Sequence, residues 1–173
     1  MMNRRVFLVL SAAGLLTGCG FRLRGTDTPK GQLPESLRIE TTDPYSPIVQ
    51  NITRQLKEQG ANVVSSGSVP VLKLSLPTLT NRVLGPVSGG DQTELALEMT
   101  YSLVGDDLVL LIPETKVRAT LIYVDSGADT SAEDQRVAQL KRSLETDLLR
   151  QIVPSIRVRY EQALKQTSSP KAN

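Results

Sequence analysis

Several parts of the chain alternate apolar and polar residues, as a β-strand with one buried face does. The longest such segment is 95–103, where every second residue is apolar. These apolar positions are Leu95, Leu97, Met99, Tyr101 and Leu103. Shorter alternating segments at 37–41 and 72–76 predict further strands, and 62–64 predicts a brief one. Much of the chain is therefore expected to form a sheet with one polar face.

A long hairpin is predicted from the segment that begins at Val71. We expect this strand to continue past Pro77 to about Leu84, with the proline marking an edge position or a bulge. The glycine-rich segment Gly85–Gly90 then predicts a loop, and the strand at 95–103 returns from it. Later strand segments are predicted at 108–112 and 116–124, on either side of a break at Pro113.

Two segments have the spacing of amphipathic helices. In the first, apolar residues recur every four positions from Ile48, with Ser46–Pro47 as N-cap and first helical residue and Gly60 just past the end. The second helix follows Ser131, and we expect Pro154 to end or kink it. Its apolar stripe is Val137, Leu140, Leu144, Leu148 and Ile152.

The order β-α-β-β-β-β-α predicts a two-layer α+β sandwich, with both helices on one face of a mixed, mostly antiparallel sheet. We expect one domain at 37–166, a tether at 19–36 and a disordered tail at 167–173. The uncovered sheet face should carry mostly polar side chains, which on their own need do no more than keep the domain soluble. They are Lys73, Ser75, Glu98, Thr100, Lys116, Arg118 and Thr120.

The N-terminus has the layout of a secretory signal. Arg4 and Arg5 precede Val6–Leu16, which is apolar apart from a serine and a glycine. That stretch is shorter than the roughly 20 apolar residues that span a bilayer. A positive segment, a short apolar segment and small residues before a cleavage site indicate a signal peptide at 1–18.

The residues at that site, Leu16-Thr17-Gly18-Cys19, resemble the lipobox of bacterial lipoproteins. In that class the cysteine thiol is alkylated with diacylglycerol, and the new N-terminus is acylated after cleavage. Lipidation explains a lone cysteine in an exported chain, where a free thiol would be a liability. We therefore expect Cys19 to be the lipid attachment site, and Gly20 after it resembles the outer-membrane sorting pattern.

Composition removes several classes of function. The chain has 173 residues with no His and one Cys, which excludes imidazole catalysis and disulfides or metal sites built from Cys clusters. The net charge of +2 comes from Arg4 and Arg5, so no basic patch for nucleic acid is expected in the mature chain. Asp106-Asp107 are better explained as a turn than as paired catalytic carboxylates. We expect no enzymatic activity and no cofactor.

The segment Cys19-Gly20-Phe21-Arg22-Leu23-Arg24 resembles the mature start of the lipopolysaccharide-assembly lipoprotein family LptE. Weaker echoes of that family occur at 91–94 and 148–157. The resemblance implies a sandwich of two helices and four strands that sits inside the outer-membrane β-barrel LptD as a plug. It further implies that the protein helps the barrel to fold and contacts lipopolysaccharide during its transport to the outer leaflet.

Relatives often carry basic residues at the hairpin tip and before the second helix, but here those places hold Ser88-Gly89-Gly90 and Asp129-Thr130-Ser131. The nearest cations, and our candidates for lipopolysaccharide binding, are Arg82, Arg118 and Arg136. For the first two a solvated or lumen-facing ion pair is an equal alternative, and for Arg136 a solvated helix face is the stronger one. The candidate barrel contacts are Gly85, Pro86, Ser88, Gly89 and Gly90.

Two other functions remain open from the sequence. One is an unrelated outer-membrane lipoprotein that scaffolds a periplasmic complex. The other is an anchored hydrolase that uses only carboxylates. Copurification of a large barrel protein would favour the plug over the scaffold, and loss of activity on carboxylate substitution would support the hydrolase.

Overall fold

The computed structural model describes residues 32–127 and 131–168. The predicted signal peptide, Cys19 and most of the predicted tether lie outside these residues, as do 128–130 and 169–173. Where the description begins, Leu33 packs against the core and Pro34 is buried.

Six strands and two helices make up the described chain. The strands are β1 Ser36–Thr41, β2 Asn62–Val63, β3 Val71–Leu74, β4 Thr78–Val87, β5 Gly90–Val104 and β6 Leu110–Asp125. The helices are α1 Pro47–Glu58 and α2 Ser131–Ser168. β1 is parallel to β2 and β3, and the pairs that involve β5 are antiparallel. The predicted α+β class is confirmed, with a mixed sheet of six strands instead of four.

The extra strand boundary arises at Pro77, which divides the predicted strand into β3 and β4. Both pieces pair with one edge of β5, and β6 pairs with the other edge. Ser75 spans the break, because its N–H donates to the Thr100 carbonyl at 3.0 Å and its Oγ accepts from the Thr100 N–H at 2.8 Å. Proline is tolerated here because β4 has no further neighbour in the described sheet and needs no second set of backbone donors.

Strand β6 runs through Pro113, where a break was predicted. The register shifts there, since Ile112 pairs with Leu103 but Thr115 pairs with Tyr101. Two residues of β6 thus lie opposite one residue of β5, which is a β-bulge. A bulge on an edge strand accommodates a residue without an N–H, so the strand continues.

Helix α2 also continues through a proline, and the prediction that Pro154 could end the helix is wrong. Ile152, Val153 and Ile156 are all buried, so the residues on both sides of the proline pack into the same core. This packing offsets the loss of one backbone hydrogen bond at Pro154. Among the described helices, none is both long and apolar enough to cross a membrane.

The core lies between the helices and one face of the sheet. The apolar positions of 95–103 are all buried, as predicted, and so is the face of α1 that carries Ile48 and Ile52. From α2, Leu144 and Leu148 complete the core. The period of two in β5 and the period of 3.6 in the helices thus predicted most of the buried side chains. The exceptions are Leu140, which is only partly buried, Val137, which lies outside the core, and Ala96, which is buried between the predicted core positions.

Candidate functional site

The sheet face opposite the helices is mostly polar, with Ile122 as an exposed apolar residue on it, and we call it the polar sheet face. It arises because the register places Arg118 opposite Glu98 and Lys116 opposite Thr100, while Val117 and Ala119 point into the core. This register determines which side chains of β6 lie on the polar sheet face. The polar sheet face consists of Lys73, Thr78, Thr80, Arg82, Glu94, Glu98, Thr100, Lys116, Arg118 and Thr120.

A chain of ion pairs crosses this face from β4 to β6. Arg118 donates from Nη2 to Glu94 Oε1 at 2.7 Å, and its Nε lies 3.3 Å from Glu98 Oε1. Arg82 reaches the same Glu94 oxygen at 3.5 Å, and Lys116 Nζ donates to Glu98 Oε2 at 3.0 Å. Three cations therefore share two carboxylates, which leaves a local excess of positive charge.

The ion pairs also perturb the titration of Glu98. The hydrogen bond from Lys116 is the main cause that lowers the pKa of the Glu98 carboxyl below its ordinary value, and the charges of Lys116 and Arg118 add to it. Partial desolvation acts in the opposite direction. Glu98 is consequently ionised at neutral pH and stays paired with both cations.

The two sheet arginines differ in how firmly they are held. Arg118 contacts two glutamates and its side chain is 44% exposed, whereas Arg82 has one pair, at 3.5 Å, and is 71% exposed. A ligand must compete with both Glu94 and Glu98 for Arg118. Of the two arginines, Arg82 is the more available to a ligand.

The third candidate, Arg136, lies elsewhere. It projects from the first turns of α2 over the Tyr123 ring, with 5.6 Å between the guanidinium carbon and the ring centroid. Its Nη1 is 3.5 Å from Glu133 Oε2. Tyr123 points to the helix side of the sheet, so Arg136 does not join the polar sheet face. The structure brings Arg82 and Arg118 together and separates Arg136 from them.

The predicted glycine-rich loop is mostly strand, which corrects the sequence analysis. Gly85 and Pro86 belong to β4, Gly90 begins β5, and only Ser88 and Gly89 form the turn. The reason is that Val87 pairs with Gly90, and a two-residue turn at that point needs the positive φ that Gly89 adopts, +95°. A side chain at Gly90 would overlap the Asp125 carbonyl, so this glycine is also required for close packing.

A groove of about 570 Å³ between β6 and α2 is a feature that the sequence did not suggest. Its basic lining residues are Lys116, Arg118 and Arg159, and no carboxylate residue lines it. Arg159 was missed because α2 was expected to end or kink at Pro154. At the inner side of the groove, the buried Tyr101 hydroxyl and Ser155 Oγ are 2.6 Å apart. Burial raises the pKa of Tyr101 above its ordinary value.

Within the described residues, no group of three or more acidic, His or Cys side chains is arranged to hold a metal ion. Around the polar sheet face the chemistry is that of guanidinium, ammonium and carboxylate groups in water. Such groups bind anions, or complementary polar surfaces, through charge-assisted hydrogen bonds.

Comparison with known proteins places this arrangement in a family. A family model described as LptE, lipopolysaccharide-assembly, matches residues 35–156, which include all six strands and most of the core of α2. The chain belongs to the LptE family. The predicted family is thereby confirmed, and the membership gives the chain a role in lipopolysaccharide assembly as a lipoprotein of the cell envelope.

Individual relatives agree with this assignment. The LPS-assembly lipoprotein LptE of Photorhabdus laumondii is 29% identical over 154 residues, which cover 87% of this chain and 79% of the relative. The LPS-assembly lipoprotein LptE of Yersinia pestis is 25% identical over 181 residues, with coverage of 96% and 82%.

Solved structures share the LptE fold seen here. A minor lipoprotein from Acinetobacter baumannii gives a TM-score of 0.61 at 18% identity, covering 73% of this chain and 92% of that one. An uncharacterised lipoprotein B from Nitrosomonas europaea also gives 0.61, at 19% identity, with coverage of 85% and 96%. At these identities the likeness concerns the arrangement of strands and helices.

Proposed function

We propose that the chain is an outer-membrane lipoprotein, anchored through Cys19 on the periplasmic side, that plugs the LptD β-barrel and helps it to assemble. In the same proposal it binds lipopolysaccharide during insertion into the outer leaflet. Membership in the LptE family supports the general role in lipopolysaccharide transport. The barrel, the membrane face and the residue roles rest on the arguments that follow.

The polar sheet face is the main observation in support of the proposal that the chain plugs the barrel. A surface of paired charges and hydroxyls loses little free energy of hydration when it contacts another hydrated polar surface, because water can bridge the groups that do not contact each other directly. The lumen of an outer-membrane barrel is such a surface. A face of this kind, 44% to 71% exposed at its arginines, is poorly suited to burial against lipid tails.

The hairpin of β4 and β5 supports the same proposal. β4 is exposed or half-exposed at every residue, although Leu79 and Val83 lie on the side of the sheet where the helices pack. The helices thus leave this edge strand uncovered on both faces. Apolar side chains here and at Leu84 and Val87 provide contact area for the wall of a surrounding barrel.

The lipopolysaccharide role is assigned first to Arg82. A guanidinium that is largely exposed and weakly paired can turn toward a phosphate at little cost. Arg118 lies beside it and also borders the groove with Lys116 and Arg159, so a phosphorylated ligand on Arg82 would meet further positive charge. Arg136 is a weaker candidate, since it lies on the helix side over Tyr123.

Barrel copurification from detergent-solubilised membranes tests the plug. The informative variant deletes residues 84–87 and 90–92, which leaves Val83 and Thr93 paired across the two-residue turn Ser88-Gly89. We expect the barrel to copurify with the full chain, and much less barrel to copurify with the variant that has the shortened hairpin. A matched control deletes Ser66 and Gly67 from the exposed loop between β2 and β3. Equal barrel recovery with the shortened hairpin would contradict the plug in this form.

A further inference from the structure

The turn between β5 and β6 and the first residue of β6 together present three consecutive apolar side chains to water. Leu108 is 84% exposed, Val109 54% and Leu110 57%. Leu108 is the most exposed large hydrophobic residue in the described part of the chain. Single exposed apolar residues are ordinary on protein surfaces, but a contiguous group of this kind marks a contact site.

The backbone conformation at position 108 does not favour a leucine, so the stability of the fold does not explain why leucine is there. The Leu108 N–H donates to the Gly105 carbonyl at 3.1 Å, and the Gly105 N–H donates to the Val109 carbonyl at 2.8 Å. This is a tight turn followed by a residue in the left-handed region, where glycine is the usual choice. Leu108 has a φ of +65° there, which costs a leucine stability that glycine or asparagine would not lose. A strained and exposed leucine is explained by a function outside the fold.

The position of the turn in the sheet identifies what it faces. Arg38, Val71, Val104 and Leu110 form one row across β1, β3, β5 and β6. The turn at 105–109 lies just beyond this row, at the same end as Ser36, where the chain enters β1. Along the row, Leu110 in β6 lies three strand spacings, about 14 Å, from Arg38 in β1. The turn is therefore beside the point where the N-terminal segment joins the folded domain.

We propose that Leu108, Val109 and Leu110 insert into the phospholipid surface that holds the lipid of Cys19. This inference rests on the proposed lipid attachment. If Cys19 is anchored, residues 20–31 span at most about 40 Å even when fully extended. The anchor thus limits how far the entry end of the sheet can move from the bilayer, and the apolar turn is at that end.

The hydrogen bonds and charges of the turn fit insertion by apolar burial. Asp107 Oδ1 accepts from the Val109 N–H and Asp106 Oδ1 from the Asp107 N–H, each at 3.1 Å, so four backbone donors of the turn are already paired before it meets the membrane. Asp106 and Asp107 are the charged residues of the turn, and they would repel anionic headgroups. Insertion should therefore not depend on anionic lipid or weaken in high salt.

Depth-dependent quenching on the full lipidated chain tests the proposal. Val109→Cys carries an environment-sensitive fluorophore, and the vesicles are phosphatidylcholine and phosphatidylethanolamine with nitroxide-labelled lipid. The control is Tyr45→Cys, an aromatic residue that is 82% exposed, more than Val109, and that follows the opposite end of β1. We expect at least threefold stronger quenching at 109 than at 45, unchanged by salt. Equal quenching at the two positions would overturn the proposal.

Two further readouts separate this inference from the others. Flotation of the chain with vesicles reports the anchor, and its absence would overturn both the Cys19 assignment and the insertion of the turn. If the chain floats but 109 is not quenched, the turn proposal alone falls. Leu108→Asn should reduce the quenching at 109 by half or more while the unfolding temperature stays equal or rises. A reduction that occurs only with a lowered unfolding temperature would show a damaged turn and contradict the proposal.

Discussion

Arg82 and Arg118 contact the same Glu94 oxygen, yet replacing each by glutamine should have opposite consequences. Arg118 is bound at 2.7 Å to Glu94 and also contacts Glu98, so it serves the fold. Arg82 lies 3.5 Å from Glu94 and is mostly in water, so it is free to serve a ligand. We expect Arg118→Gln to lower stability more and Arg82→Gln to lower lipopolysaccharide binding more.

The magnitudes follow from exposure and distance. Exposed ion pairs contribute about 0.2–1 kcal/mol, and the shorter, less exposed Arg118–Glu94 pair belongs near the upper end of that range. The Arg82–Glu94 pair belongs near the lower end. For binding, loss of about 1 kcal/mol at Arg82 corresponds to roughly fivefold weaker lipopolysaccharide affinity. Arg118→Gln should change affinity less than about twofold, because Glu94 and Glu98 already compete for that side chain.

Urea unfolding followed by circular dichroism measures the stability order, and lipopolysaccharide binding to the detergent-solubilised full chain measures the affinity order. Glutamine is the right substitution because charge reversal at both positions would place four carboxylates together with Glu94 and Glu98. Such a double reversal would disturb the fold as well as the ligand site. If Arg82→Gln lowers stability as much as Arg118→Gln, or if both weaken binding equally, the division of roles is wrong.

Three other predictions concern the core, a carboxyl and the anchor. Leu97→Ala and Leu144→Ala should each cost about 2–5 kcal/mol in urea unfolding, and a cost under 1 kcal/mol would contradict their burial. Lys116→Met should raise the pKa of Glu98 toward its ordinary value in an NMR titration. Because that pKa is lowered in the fold, the stabilisation is present at neutral pH and disappears as the pH falls through it. Cys19→Ala should abolish acyl labelling, and persistent labelling would exclude Cys19 as the attachment site.

The period of side chains predicted the core well because one face of β5 is buried from Thr93 to Leu103. Strict alternation from Leu95 to Leu103 then identifies the residues that face the core, although Ala96 on the other face is also buried. The prolines were harder to interpret, since their effect depends on the neighbours. Pro113 lies in a bulge on an edge strand, and Pro154 lies in a helix whose next turns are held by buried residues. Neither neighbour is visible in the local sequence.

The candidate site was only partly predictable for a related reason. Arg82 and Arg118 could be placed near the polar face from alternation, but their common partner Glu94 depends on the register between strands that are far apart in sequence. The separation of Arg136 likewise depends on which side of the sheet the second helix covers. The length of the turn at Ser88-Gly89 followed from strand pairing that a count of glycines does not reveal.

The most direct test of the plug is photocrosslinking in living cells. A photoreactive amino acid is placed at Ser88 in the hairpin turn, at Thr120 on the polar sheet face, and at Ser66 in the exposed loop between β2 and β3. The proposal predicts crosslinks to the LptD barrel at Ser88 and Thr120 and much weaker ones at Ser66. Barrel crosslinks at Ser66 alone, or no barrel crosslink at Ser88 and Thr120 in a folded, membrane-attached chain, would contradict it.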